Sequence, residues 1–339
     1  MKLQSQWMYC YKKGLRGARV STNYYLEGED LYFVLQYGDF PWTSLILKLN
    51  LKTQECQTVF EEKHIIRRLG ICENERFYFT SMRARVFCVT KDGKVIWETV
   101  LQKGNPHAEI TMDGDRLYVS HHGIYCLDKN TGEVLWFNED YKKTHPSILN
   151  LDSGIVCSEA GGRLFCLDKL SGETIWDTGA ELWIGKCILL ENGHLLATHS
   201  HESFLIVDPS DGRIIQTTPS KGNLSGTPVF LDEKLYIGDG DSVMDSKSGH
   251  MSAYEVSGDD LKEVFSFPTG GAPSTSAIIS GERLFFATED NYLYCIDKNT
   301  GEELMAKKKT KGVCRDMIVR ENELIVLSDK GQVEVFTVV

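Results

Sequence analysis

The chain has 339 residues, with 37 basic and 48 acidic side chains and a formal net charge of −11. Such an acidic balance disfavours binding to nucleic acid or to an anionic membrane surface, because both attract basic proteins. We therefore predict no nucleic acid and no membrane among its partners. A protein partner is the leading prediction, and a basic one would be attracted by the acidic charge. A small polar ligand is the alternative.

The first segment, residues 1–14, contains no apolar export signal, and no later stretch is long and apolar enough for a membrane helix. We therefore predict a cytoplasmic protein. Four of the ten cysteines recur at one place of a repeat, so we expect free, buried thiols in a reducing compartment. These four are Cys88, Cys126, Cys166 and Cys295.

A segment that reads IYCLDKNTGEVLW in its first clear copy returns about every forty residues. The clear copies are 124–136, 164–176 and 293–304, and the weaker copies are 86–97 and 205–216. Self-similarity at this period is typical of stacked or circular arrays, in which no single unit can bury its own apolar face.

The unit around Asp128 predicts short strands joined by tight turns. Its second and third strands alternate apolar and polar residues, and residues 129–132 form a turn that ends in Gly132. The predicted strands are 108–112, 116–120, 124–128 and 133–137. Four antiparallel strands of this kind make one blade of a β-propeller, so we predict an all-β fold with no long helix.

The third strand of this unit recurs eight times along the chain. Its anchor residues are Leu49, Val89, Leu127, Leu167, Val207, Tyr254, Ile296 and Val335. We therefore predict an eight-bladed β-propeller of four-stranded antiparallel blades. Seven blades are the alternative, if the divergent first or sixth unit is miscounted.

The last predicted blade, residues 313–339, ends too early to contain a fourth strand of its own. We predict that a strand at about residues 6–11 pairs with this blade and closes the propeller, which removes an open sheet edge. Trp7 then falls where Trp97, Trp136 and Trp176 fall in other units. Residues 1–339 are accordingly predicted to form a single propeller domain.

The consensus of the copies resembles the repeat of the pyrroloquinoline-quinone-type (PQQ-like) β-propeller superfamily. It runs (L/I)-(Y/F)-C-(L/I)-D-K-x-(T/S)-G-E-x-(L/I)-W. The resemblance implies that the Asp-x-x-(Thr/Ser)-Gly turn joins the third and fourth strands and that the tryptophan docks between blades. We align Thr58, Gln216 and Met305 with the tryptophan in units one, five and seven. The resemblance implies a fold and no single activity, because one fold carries many functions.

Two branches of the superfamily have features that this chain lacks. Quinoprotein dehydrogenases hold their cofactor beneath two adjacent, disulfide-bonded cysteines, and this chain has no Cys-Cys pair. The outer-membrane assembly propeller is exported and lipid-anchored, which residues 1–14 do not predict. We therefore predict a cytosolic member outside both branches. We expect no quinone and no other cofactor, and a metal is an alternative that no motif supports.

The candidate binding residues fall in the loops between second and third strands and in the connections between blades. In a propeller these segments share one face, here called the top face. Histidines are concentrated in them, and imidazole serves both as an acid or base near neutral pH and as a metal ligand. The candidates are Phe40, Trp42, Arg67, His107, His121, His145, Trp183, His199, His201 and Arg315.

Among these candidates only His199 and His201 have a spacing that suits a metal ion. Two residues apart in an extended segment, they would point to the same side. No nucleophile motif or paired-carboxylate spacing occurs, so we assign no catalytic residue.

We predict an interaction protein that binds a protein partner through an acidic top face bearing histidine and aromatic residues, as a scaffold or an antidote-like inhibitor. The alternative is a propeller enzyme, a lyase or hydrolase with histidine or metal chemistry at the mouth of the central channel. Histidines that converge within hydrogen-bond reach would favour the enzyme.

Overall fold

The computed structural model describes residues 2–11, 17–39, 42–66, 69–102, 110–120, 122–141, 144–159, 163–179, 184–199, 203–241 and 247–339; side chains are not described at 21–22, 144–147, 184–185 and 226. In these ranges the regular elements are β-strands in eight four-stranded antiparallel sheets. This confirms the all-β, eight-bladed propeller that the repeat predicts. Over the described part of the chain, no helix is long and apolar enough to cross a membrane.

The chain begins with β1 (Leu3–Cys10), which belongs to the last blade. The amino-half unit, Gly14–Gly185 with Ser210–Gly212, contains blades 1 to 4. Blade 1 is β2 (Arg19–Glu27), β3 (Asp30–Tyr37), β4 (Thr43–Asn50) and β5 (Cys56–Glu62). Blade 2 is β6 (Ile71–Glu73), β7 (Arg76–Ser81), β8 (Arg85–Thr90) and β9 (Val95–Val100). Blade 3 is β10 (Ile110–Asp113), β11 (Arg116–Ser120), β12 (Ile124–Asp128) and β13 (Val134–Asn138). Blade 4 is β14 (Thr144–Leu151), β15 (Gly154–Glu159), β16 (Leu164–Leu167) and β17 (Thr174–Asp177).

The carboxy-half unit, Met1–Lys13 with Lys186–Pro209 and Arg213–Val339, contains most of blades 5 to 8. Blade 5 is β18 (Ile184–Leu189), β19 (Leu195–His199), β20 (Ser203–Val207) and β21 (Ile214–Pro219). Blade 6 is β22 (Asn223–Leu231), β23 (Lys234–Gly240), β24 (Gly249–Ser257) and β25 (Asp260–Thr269). Blade 7 is β26 (Ile278–Ser280), β27 (Arg283–Ala287), β28 (Tyr292–Asp297) and β29 (Glu303–Lys309). Blade 8 is β30 (Cys314–Arg320), β31 (Glu323–Ser328), β32 (Gln332–Val338) and β1.

The two chain ends meet in blade 8, as the sequence predicts. β1 pairs antiparallel with β32, and Trp7 lies opposite Val335. The backbone of Lys2 exchanges both hydrogen bonds with that of Val339, at 2.8 and 3.0 Å. The prediction of a single domain stays a prediction beside the two compact units.

A recurrent turn joins the third and fourth strands of the clear copies. In blade 4, Oδ1 of Asp168 accepts the backbone N–H groups of Leu170 and Ser171 at 2.9 and 2.7 Å. These donors, that of Ser171 above all, hold the pKa of Asp168 below its ordinary value. Asp128 and Asp297 accept the equivalent bonds in blades 3 and 7. The repeated aspartate therefore fixes the hairpin.

The fourth strand carries a β-bulge in all eight blades, and in seven of them, blades 2 to 8, the bulge lies at the same place of the repeat. In blade 3, Cys126 pairs with Trp136 and Leu127 pairs with Val134, so Leu135 is the extra residue. The bulge re-aims the side chains around it, and the tryptophan turns toward the next blade.

Trp136 packs on the turn of the neighbouring blade, which confirms the docking role that the resemblance implies. Its indole N–H donates to the carbonyl of Lys169 at 3.1 Å. Gly172 has a φ of +73°, and a Cβ added there would lie 2.5 Å from Cε3 of Trp136. Only glycine satisfies both conditions, which explains why the repeat ends its turn with it. Trp97 packs in the same way on Gly132.

The alignment of Thr58 with this tryptophan is wrong. In blade 1 the bulge lies two residues further along, so Phe60 pairs with Ile46 and Thr58 pairs regularly with Leu47. Phe60 therefore takes the interblade place, with ring centroids 5.6 Å from those of Phe79 and of Phe87 in blade 2. The placements of Gln216 and Met305 agree with the observed register.

At the boundary between blades 5 and 6, a polar contact lies where blades 2, 3 and 4 place a tryptophan on the turn of the next blade. Gln216 occupies the tryptophan place, and no atom lies within 4 Å of a Cβ added at Gly258 in the facing turn. Instead, Nδ2 of Asn192 donates to the carbonyl of Gly258 at 2.9 Å. Nδ1 of His194 lies 2.5 Å from Oδ1 of Asp259.

All ten cysteines are free. The four at the repeated place, predicted as small hydrophobic side chains, are buried in the core. Burial raises the pKa of Cys166 to about 11 and that of Cys295 to about 12. These thiols are therefore neutral at physiological pH and contribute packing instead of reactivity.

Candidate functional site

Each blade has a loop end, where its second and third strands are joined, and the sequence assigns this end to the top face. Of the candidate residues there, the structure describes the side chains of Trp42, His199 and Arg315. The other seven lie outside the described residues or, for His145, outside the described side chains. They are Phe40, Arg67, His107, His121, His145, Trp183 and His201, which stay predictions.

His199 ends the second strand of blade 5 and pairs across the loop with Ser203. Its Nδ1 lies 3.0 Å from Oγ of Ser203, so one imidazole nitrogen is engaged within the blade. The chelating pair with His201 is not tested, because His201 is not described. Within the described ranges no group of three or more His, Cys, Asp or Glu side chains is placed to hold a metal ion.

Arg315 is the second residue of β30 and is half-exposed. Its Nη2 lies 4.0 Å from Oδ2 of Asp329, in the loop after the second strand of the same blade. The guanidinium is thus loosely held by a carboxylate at the loop end of blade 8.

Trp42 follows the loop of blade 1 and is partly exposed. The guanidinium carbon of Arg19 lies 4.2 Å from the centroid of its ring. Such cation–π stacking holds two large side chains in fixed positions at a surface. Trp42 is therefore the one candidate that the structure presents together with a second residue suited to protein contacts.

A histidine–carboxylate pair at the loop end of blade 6 was missed by the sequence analysis. Asp239 is only 4% exposed, and its Oδ1 lies 2.9 Å from Nδ1 of the half-exposed His250. The two residues are cross-strand partners on β23 and β24. Its position in the repeat could have identified Asp239, because it occupies the place in blade 6 that His199 occupies in blade 5.

That place, at the end of the second strand, holds a polar residue in blades 5, 6 and 7 of the carboxy-half unit. Each of these residues bonds within its own blade: His199 with Ser203, Asp239 with His250, and Thr288 with Asp290. Local pairing of this kind fixes the side chains in advance, which suits a binding surface.

A charge cluster lies at the loop ends of blades 1 and 2. Glu62 is buried, and Nη1 of Arg85 donates to both of its carboxylate oxygens, at 2.8 and 2.9 Å. Burial nevertheless raises the pKa of Glu62, while Arg85 opposes the rise. Burial, followed by the charges of Arg83 and Arg85, lowers the pKa of His64.

A family described as outer membrane protein assembly factor BamB matches this chain over residues 42–179, 120–277 and 247–338. This corrects our expectation that the repeats lie outside the outer-membrane assembly branch, which was drawn from residues 1–14 and not from the repeats. The match confirms the PQQ-like repeat superfamily. No curated protein matches the sequence.

Solved structures share the fold at low sequence identity. BamB from Moraxella catarrhalis is 15% identical, with a TM-score of 0.65 over 99% of this chain and 97% of that one. Sqt1 from Saccharomyces cerevisiae is 12% identical, with a TM-score of 0.72 over 99% of both chains. The computationally designed Ika8 protein is also 12% identical, with a TM-score of 0.73 over 96% of this chain and 98% of that one. At such identities the likeness extends to the fold alone.

Proposed function

The chain belongs to the BamB family of β-propellers, and on this premise we propose that it is an interaction protein whose loop ends bind a protein partner. A propeller of this type fits an interaction scaffold, since rigid blades hold many loops at one end. In our proposal it acts in the cytoplasm, as a scaffold or as an antidote-like inhibitor that covers its partner.

The observation that carries the proposal is the Trp42–Arg19 stack. Tryptophan and arginine are enriched among the residues that contribute most to binding energy at interfaces. Here they are held against each other at 4.2 Å before any partner arrives. Trp42 and Arg19 would therefore lose little side-chain freedom when a partner binds, which favours affinity.

The chemistry of the partner follows from charge. The net charge of −11 would speed the approach of a basic protein. The ten free cysteines support a reducing compartment, because thiols in this number form disulfides readily where conditions are oxidising.

The test places a photo-crosslinking amino acid at position 42 in cells that produce the protein. The same amino acid at position 52, in the exposed turn between the third and fourth strands of blade 1, is the control. We expect one polypeptide to be captured from position 42 and not from 52. The purified captured protein is then titrated against wild type and Trp42→Ala, and the variant should bind at least about tenfold more weakly. If wild type and Trp42→Ala bind the captured protein equally well, the proposal is refuted.

The Asp239–His250 pair favours a second candidate, a lyase or hydrolase. A buried carboxylate that orients a half-exposed imidazole is an arrangement found in general acid–base catalysis. A panel of chromogenic esters, phosphoesters and glycosides tests this candidate. Turnover that is lost in His250→Ala and retained in Trp42→Ala would establish the enzyme over the interaction protein.

A further inference from the structure

Exposed aliphatic side chains lie at the turn end of blades 3 and 4, opposite the loop ends. They are Val134, Leu135, Leu170 and Ile175, and Leu170 is 69% exposed. Isolated exposed aliphatic residues are ordinary, whereas a group on adjoining elements indicates an interaction site.

Packing of Trp136 places the fourth strand of blade 3 beside the turn of blade 4. Its indole N–H donates to the carbonyl of Lys169, and its ring covers Gly172. Nδ2 of Asn138 also donates to the carbonyl of Gly172 at 2.8 Å. The fourth strand of blade 3 therefore lies against the turn of blade 4. Leu135 precedes Trp136 and Leu170 follows Lys169, so both border this contact.

Leu170 is not required by the turn that contains it. The same place holds Asn130 in blade 3 and Asn299 in blade 7, and those turns have the same aspartate-to-backbone hydrogen bonds. A leucine there exposes apolar surface without improving the hairpin. Similarly, Val134 stands where blade 4 has Thr174. Leu170 is thus a departure from the clear copies, whereas Leu135 and Ile175 occupy the (L/I) place of the consensus.

The charge around these aliphatic side chains indicates what kind of partner would bind them. Glu133 and Glu173 are exposed beside the aliphatic side chains. The two lysines of the turns cannot neutralise them, because Lys129 pairs with Glu73 at 2.8 Å and Lys169 pairs with Asp113 at 2.7 Å. The surface is therefore apolar with an acidic rim, which complements a segment that is both apolar and basic.

We propose that this surface, formed by Val134, Leu135, Leu170 and Ile175, docks a basic, amphipathic segment of another protein. The fourth strands β13 and β17 are sheet edges, but their bulges interrupt the backbone pattern that an added strand would need. The segment is therefore recognised through side chains. This surface does not include Trp42, so an experiment can refute this proposal without refuting the proposed function, and the reverse.

The test uses a short fluorescent peptide of alternating lysine and leucine, and a matched peptide of lysine and serine. The variant Val134→Thr/Leu170→Asn replaces both residues with those of sister repeats and leaves the charge unchanged. Val264→Thr, which removes another exposed aliphatic residue at a bulge in blade 6, is the control. Circular dichroism checks that every variant is folded.

We expect the lysine–leucine peptide to bind wild type and Val264→Thr equally, and the double variant about tenfold more weakly. The lysine–serine peptide should bind all three proteins weakly and alike. Equal binding of the lysine–leucine peptide to all three proteins would overturn the proposal, since only charge would then be recognised. A dimer of the wild type that the double variant cannot form would overturn it in favour of a second copy. Sedimentation with phosphatidylserine vesicles, lost in the double variant, would overturn it in favour of a lipid surface.

Discussion

Replacing Gly172 with alanine tests whether the packing between blades depends on a tryptophan seated on a glycine. Two costs arise from the structure. A residue with a Cβ at a φ of +73° loses about 1–2 kcal/mol to backbone strain. The added methyl group also lies 2.5 Å from Cε3 of Trp136, and such overpacking costs about 1–3 kcal/mol more. The free energy of unfolding should therefore fall by about 2–5 kcal/mol.

Gly114→Ala is the matched control within the amino-half unit. Gly114 has a φ of +56°, and no atom lies within 4 Å of an added Cβ. It should lose only the backbone cost, about 1–2 kcal/mol. Urea unfolding followed by circular dichroism compares the two variants. If both lose the same free energy, the ring of Trp136 does not rest on Gly172 and the account of the blade boundary is refuted.

The same unfolding assay checks three further outcomes. The N–H donors of its turn lower the pKa of Asp168, so they contribute stability above about pH 4 that is lost as the pH falls through the folded value. Asp168→Asn should therefore lose less stability than wild type between about pH 4 and 2, and parallel curves would contradict this. Lys169→Met should cost about 1 kcal/mol through the ion pair with Asp113, and no loss would show that the pair contributes nothing. Phe60→Ala should cost about 3 kcal/mol, while Thr58→Ala changes stability by less than about 0.5; the reverse order would restore the sequence alignment.

The sequence predicts the blades well because the same side chains fix the same local geometry in each copy. An aspartate that accepts turn N–H groups and a glycine with positive φ leave few other structures for that segment. Trp7 could be placed for the same reason, since the bulge before it is the common one. Phe60 could not, because the bulge in blade 1 is displaced by two residues and the turn alone does not reveal the displacement.

The candidate site is less predictable because its partners come together only across loops. His199 was identified from its type and spacing, but its bond to Ser203 depends on the loop that brings β20 back beside β19. Asp239 and His250 are eleven residues apart and meet across the strands that flank an insertion. Sequence patterns locate such residues at a loop end and do not tell which of them pair.

The polar boundary between blades 5 and 6 has a consequence for how the chain could be cut and rejoined. Hydrogen bonds from Asn192 and a contact of His194 can be replaced by water, whereas a tryptophan packed on glycine cannot be replaced so cheaply. The connection across this boundary includes Lys221, which is exposed. The original ends, meanwhile, already lie side by side through Lys2 and Val339. A circularly permuted chain that starts at Lys221 would therefore open the chain at a boundary without a tryptophan packed on glycine, and it would need only a short new link.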